Sequence, residues 1–136
     1  MKENRINILA AIAFWMYLIT IGALCFMHGD NLPSISGRWF GIPADKIAHC
    51  LMFFPFIPLS FFTFSRSKAS IGRHTILLIV LMLIGGMTAF ATELVQDHLS
   101  YRSYDIKDLA ADCIGLAAGY VIIILWLIIK HLANKH

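Results

Sequence analysis

The chain has 136 residues, of which 59% are hydrophobic and 14% charged, with a net charge of +3. Soluble domains average about 45–50% apolar and about 25% charged residues, so this composition excludes an ordinary water-soluble domain and indicates a membrane protein. The basic residues form no run beyond isolated pairs such as Arg66 and Lys68, so the charge does not indicate nucleic-acid binding and no nucleic-acid partner is expected.

Lys2 and Arg5 precede a first apolar segment at about 6–27. It is too long for a signal-peptide core of about 7–15 residues. The stretch IGALC ends at Cys25, but Leu24 stands where a lipobox needs a small residue. An uncleaved span is therefore expected. A long connection follows, HGDNLPSISGRWFGIPA, with Gly29, Gly37, Gly41, Pro33 and Pro43 as turn formers. Trp39 and Phe40 suit the headgroup level, where such rings are enriched, or a lid over whatever lies beneath. The second apolar segment, about 45–64, contains Pro55 and Pro58, which predict a kink. The third covers about 75–95 and the fourth about 106–129.

Each segment is close to the roughly 20 residues that cross a bilayer as a helix. A helix is the open-ended way to satisfy the backbone in lipid. The expected fold is all-α: one domain, 1–136, forming a membrane-embedded four-helix bundle. Lys2, Arg5, Arg66, Lys68, Arg73, Lys130 and Lys135 fall on one side of that layout, against Arg38, Lys46, Arg102 and Lys107 on the other. The positive-inside rule then places both termini in the cytoplasm. Cys25, Cys50 and Cys113 lie in apolar segments without zinc-ligand spacing, and are expected to pack as small hydrophobes.

Polar groups gather at the outer end of this layout. The second helix opens ADKIAH, which places Asp45 and His49 at i and i+4, on one face. Lys46 reads as interfacial. The third helix ends ELVQ, with Glu93 and Gln96 one turn apart. On the fourth, Asp105, Asp108, Asp112, Gly115 and Gly119 share a stripe about 80° wide, with Lys107 outside it. Its glycines, with Ala110, Ala111, Ala117 and Ala118, form a small-residue surface suited to close helix approach in lipid. Gly85 and Gly86 on the third helix invite the same. Carboxylates deep in a bilayer are costly, so Glu93 and Asp112 should face the bundle interior. Asp105 and Asp45 also suit helix capping. His28, His74, His98, His131 and His136 lie at loops or helix ends and are expected to be solvated.

The stretches DKIAH, ELVQ and RSYDIKDLAADCIGLAAG resemble, in order and helix placement, the motifs of the VanZ-like family of small bacterial integral membrane proteins. The match covers about the last two-thirds of the chain. Where that family commonly has Asn, this chain has Asp112, which keeps a polar group and adds a charge. The resemblance implies a multi-pass protein of the bacterial cytoplasmic membrane. The family takes its name from a protein linked to teicoplanin resistance.

Three functions remain open on the residues. Asp45, Gln96, Arg102, Asp105 and Asp112 could line an outer-face pocket for a lipid-linked envelope precursor or a glycopeptide, Arg102 gripping an anion by its fork. Alternatively, the chain is a membrane enzyme acting on a lipid-linked ester or phosphate. Its catalytic candidates are Glu93, His49 and Asp108, with Glu93 as a general base. In the same scheme His49, Glu93, Asp108 and Asp112 could hold a divalent ion that activates water. No nucleophile motif such as GxSxG is present. Thirdly, the groups could form a buried network that fixes the helices. Membrane lipids are the expected surroundings, and four helices in 136 residues leave room for a homodimer.

Overall fold

The computed structural model describes residues 2–26, 37–39, 41–66, 69–98 and 105–133. Helix α1 spans Lys2–Phe26, α2 Ala44–Phe53, α3 Phe56–Phe64, α4 Ile71–His98 and α5 Ile106–Ala133. α1, the continuous unit α2–α3, α4 and α5 are each long and apolar enough to cross a membrane. Arg38–Trp39 (β1) and Ile42–Pro43 (β2) pair as a minimal antiparallel ribbon just before α2. Gly41, at φ +82°, turns the chain between them in a region that residues with a side chain seldom enter.

The second span is broken where proline predicts. Pro55 has no N–H to offer the helix and its ring crowds the preceding turn. The Phe54 N–H still reaches the Cys50 carbonyl at 3.0 Å and closes α2, while the Leu59 N–H donates to the Pro55 carbonyl at 3.0 Å and starts α3. From α1, the Tyr17 hydroxyl donates to the Met52 carbonyl beside the break at 2.8 Å. A neighbouring helix thus satisfies a backbone group that lipid could not. Pro58 sits in the first turn of α3, where a missing N–H costs nothing.

α5 is the central element, packed on α2, α3 and α4, while α1 lies mainly against α3. The interior is built from Phe14, Phe53, Phe56, Ile57, Phe61, Leu78, Leu116 and Ile123, with Phe14 and Phe56 edge to face at 5.9 Å between centroids. Large apolar side chains also cover the outside: Leu9, Ile19, Leu83, Met87 and Ile129 are each 65–72% exposed. Such a surface suits lipid and not water.

The glycine stripe of α5 meets the backbone of the broken span. A Cβ on Gly115 would collide with the Cys50 carbonyl, and one on Gly119 would lie 2.6 Å from the Phe54 carbonyl oxygen. Gly85 admits Phe56 and Leu116 in the same way. Gly86 does not share this role, since a Cβ there would meet nothing within 4 Å. The helical period places Gly86 about 100° round α4 from Gly85, away from the packed face. Ala111 is buried in the α5 interface, whereas Ala110 and Ala117 face outward.

Candidate functional site

The start of α2, the last turns of α4 and the start of α5 lie together at one end of the bundle. The close approach allowed by Gly115 and Gly119 draws α5 onto α2, and that approach carries the α5 acids to Lys46 and His49. The groups fall into two tiers.

The upper tier centres on Lys46. Its ammonium lies 3.1 Å from Asp45 Oδ2 and 2.6 Å from Asp105 Oδ2, and also pairs with Asp108 Oδ1. The Lys46 side chain is only 16% exposed. Asp105 has two tasks. Its Oδ1 accepts the Lys107 N–H at 2.8 Å, capping α5, while Oδ2 takes Lys46. The Lys46 ammonium, helped by that N–H, holds the Asp105 carboxyl below its ordinary value. Lys107 itself points outward, as its position off the stripe predicts.

The lower tier is buried. His49 is 5% exposed, Glu93 1% and Asp112 0%. His49 Nδ1 lies 3.0 Å from Asp112 Oδ1 and 3.8 Å from Glu93 Oε1. On the far side of the ring, Nε2 is 3.8 Å from Asp108 Oδ2. Glu93 Oε2 accepts the Asp105 N–H at 3.4 Å. Glu93 Oε1 and Asp112 Oδ2 are buried and have no hydrogen-bond partner among the described residues. One ligand atom each from His49, Glu93 and Asp112 lie within 4.8 Å of one another, a donor set of imidazole and carboxylate that suits a divalent transition ion.

Of the residues singled out in the sequence, His49, Glu93, Asp108 and Asp112 converge from three helices. Gln96 is also buried, at 4% exposure, one turn beyond Glu93. Asp45 stays at the rim, its side chain 49% exposed, and turns to Lys46 and not to His49. Arg102 and Phe40 lie outside the described residues, as does the side chain of Trp39.

One expectation gains detail and one needs correction. Lys46, read as interfacial, is surrounded by three carboxylates from two elements. Its adjacency to Asp45 in a motif that also holds His49 was the available signal. His74 is not solvated. It is 8% exposed at the opposite end of the bundle, with its ring 5.5 Å from Phe61 and Nε2 3.2 Å from the Arg66 carbonyl. The turn before α4 folds back over it, which hydropathy along the chain cannot reveal. His98 and His131 are exposed as expected, and His28 and His136 lie outside the described residues. Cys50 is half-buried and Cys113 exposed on the apolar surface, both free. The side chain of Cys25 lies outside the described residues.

Residues 6–128 match the VanZ/LLP1 family. An uncharacterized protein of the fission yeast Schizosaccharomyces pombe is 30% identical over 82 residues, which are 60% of this chain and 48% of that protein. The chain thus spans about half the length of this curated relative, and the relative is eukaryotic. No solved structure matches the chain significantly. The family match reaches into all four spans and covers every described residue of both polar tiers: the chain belongs to the VanZ/LLP1 family.

Proposed function

We propose that this protein is an envelope component of the bacterial cytoplasmic membrane, with both termini cytoplasmic and the polar end facing outward. There it binds a lipid-linked or glycopeptide-type ligand and contributes to teicoplanin resistance. The observation that carries the reading is the pair of buried carboxylate oxygens on Glu93 and Asp112 without partners. Buried polar groups are nearly always satisfied in a folded protein, and an exception calls for an explanation such as a bound ligand, ion or water. Ionised carboxylates only accept hydrogen bonds, and five of them here face one Lys and one His: Asp45, Glu93, Asp105, Asp108 and Asp112 against Lys46 and His49. The group that enters must therefore donate hydrogen bonds or carry positive charge. Amide, amine and sugar hydroxyl groups do so; a bare phosphate would be repelled unless Arg102 or a cation met it.

A second reading is favoured by the His49–Asp112 contact at 3.0 Å. A carboxylate-oriented imidazole beside a further carboxylate is an acid–base arrangement, able to serve hydrolysis of a lipid-linked ester or phosphate. Two measurements decide. Expression of the chain in a teicoplanin-susceptible bacterium should raise the inhibitory concentration, and Glu93→Gln, present at equal membrane levels, should abolish the rise. Native mass spectrometry of the detergent-purified chain should show a retained lipid-linked or added glycopeptide ligand. Unchanged susceptibility with no retained ligand overturns the proposal. Failure of Glu93→Gln to insert would assign the network to fixing the helices.

A further inference from the structure

We propose that His49, Glu93 and Asp112 bind one divalent ion of the zinc or manganese class on the Nδ1 side of the imidazole. The inference deepens the reading of this end of the bundle as a ligand site and names what the buried tier holds.

The geometry divides the His49 ring. Nδ1 faces Asp112 at 3.0 Å and Glu93 at 3.8 Å, whereas Nε2 faces Asp108 at 3.8 Å. A metal-bound histidine donates its other ring N–H to a carboxylate, which fixes the ring and raises its basicity. Asp108 is the carboxylate that faces Nε2; at 3.8 Å it must close by about 0.6 Å to reach the hydrogen-bond range of about 2.7–3.2 Å, and it is itself held by Lys46. The order Lys46, Asp108, His49, ion then runs from the rim inward.

Nothing else among the described residues completes the lower tier. Lys46 is committed to Asp45, Asp105 and Asp108. Glu93 Oε1 and Asp112 Oδ2 remain unpartnered on side chains 1% and 0% exposed. Burying a polar atom without a partner is costly, and more so when it is charged. A neutral imidazole, two carboxylates and one divalent ion sum to zero charge, the arrangement that a low-dielectric setting tolerates best.

The spacing also fits. Ligand atoms around a four-coordinate zinc at about 2.0–2.2 Å lie roughly 3.4 Å from one another. The three candidate atoms all lie within 4.8 Å, so they close by about 1.4 Å at most. Magnesium and calcium take oxygen ligands; the imidazole turns the preference toward zinc, and the two carboxylates also suit manganese. The three ligands come from α2, α4 and α5, so the ion would also join the broken span to both of its neighbours.

The test uses the full chain in detergent micelles, stripped with a chelator and titrated with Zn2+ by calorimetry, with native mass spectrometry counting ions. One ion per chain is expected. Glu93→Gln and Asp112→Asn should weaken it by more than about 100-fold, and Asp108→Asn by about 10–100-fold, as outer-shell partners do. His98→Ala, which removes an exposed imidazole at the same end, should change nothing. Absence of one-ion binding overturns the proposal. So does binding that survives both Glu93→Gln and Asp112→Asn, or binding lost in His98→Ala. Should the carboxylate variants fail to fold, the wild type carries the test. Zn2+ must raise its unfolding temperature, and Co2+ must give the visible absorption of a low-coordinate nitrogen–oxygen site. If neither appears, the ion is not there. A chain that binds no metal yet retains its ligand and protects cells refutes this inference alone. A chain that binds metal at the triad but neither retains a ligand nor protects cells refutes the proposed function alone.

Discussion

Gly119→Ala should loosen the bundle and open the buried tier together. The added Cβ would lie 2.6 Å from the Phe54 carbonyl oxygen and 3.0 Å from Pro58 Cδ, where ordinary contact begins at 3.4 Å. Both obstacles belong to a proline-broken helix whose backbone cannot swing aside as a side chain can, so α5 must retreat by about 0.8 Å, the shortfall from ordinary contact. Overpacking costs about 1–3 kcal/mol, and the better helix propensity of Ala returns about 1 kcal/mol. The packing cost is therefore about 2 kcal/mol at its upper end. The same retreat, carried along α5, would stretch the His49–Asp112 contact from 3.0 Å to about 3.8 Å, beyond the hydrogen-bond range of about 2.7–3.2 Å. Losing a charged hydrogen bond adds about 1.5–3 kcal/mol. The expected total is about 1.5–5 kcal/mol, read as a lower SDS fraction at the unfolding midpoint in mixed micelles followed by circular dichroism. Gly115→Ala should be at least as severe, since its Cβ meets the Cys50 carbonyl head-on. Gly86→Ala supplies the control: nothing lies within 4 Å of its Cβ, and it should be neutral or stabilising by up to about 1 kcal/mol. If Gly115→Ala and Gly119→Ala unfold where the wild type or Gly86→Ala does, the close α2–α5 approach described here is wrong, and with it the route by which Asp112 reaches His49.

Lys46→Met should destabilise by about 1–3 kcal/mol. The value lies below that of a fully buried broken pair, because Asp45 and Asp105 remain partly in water; Lys46→Arg should recover part of the loss in the same SDS titration. Tyr17→Phe removes the hydroxyl that serves the Met52 carbonyl beside the helix break and should cost about 1 kcal/mol. Equal midpoints would show that the carbonyl finds another donor. Asp105 carries a pH prediction. Its folded-state value is depressed by Lys46, so its contribution is fully present above the ordinary aspartate value of about 3.9 and fades as pH falls through the depressed value. Stability measured against pH in Asp105→Asn should lose this acid-side slope and match the wild-type profile's shape near neutrality; a mutant profile unchanged at acid pH would refute the pairing.

Much of the architecture was legible along the chain. Four apolar lengths near the span of a bilayer dictate four crossings whatever their packing, because a backbone in lipid must satisfy itself. Pro55 dictates the break in the second crossing, because its nitrogen carries no hydrogen. The spacing of Asp105, Asp108, Asp112, Gly115 and Gly119 dictates one face of α5, since the helical period alone sets it. That Glu93 and Asp112 point inward follows from the cost of a carboxylate in hydrocarbon.

Only the tertiary structure decided who meets whom on those faces. The helices are apolar nearly all round, so hydropathy leaves their rotation and relative depth undetermined, and a shift of one residue moves a side chain about 100°. Contact of the α5 glycines with the Cys50 and Phe54 carbonyls removes that freedom. It assigns Lys46 to Asp105 and Asp108, turns Asp45 away from His49, and leaves Glu93 and Asp112 both beside one imidazole nitrogen. His74 shows the same limit at the other end, where the Arg66 carbonyl, eight residues earlier, and the Phe61 ring cover a residue that reads as exposed. Local chemistry determined which groups must avoid lipid. Backbone close-packing between segments about 60 residues apart determined which of them share a site.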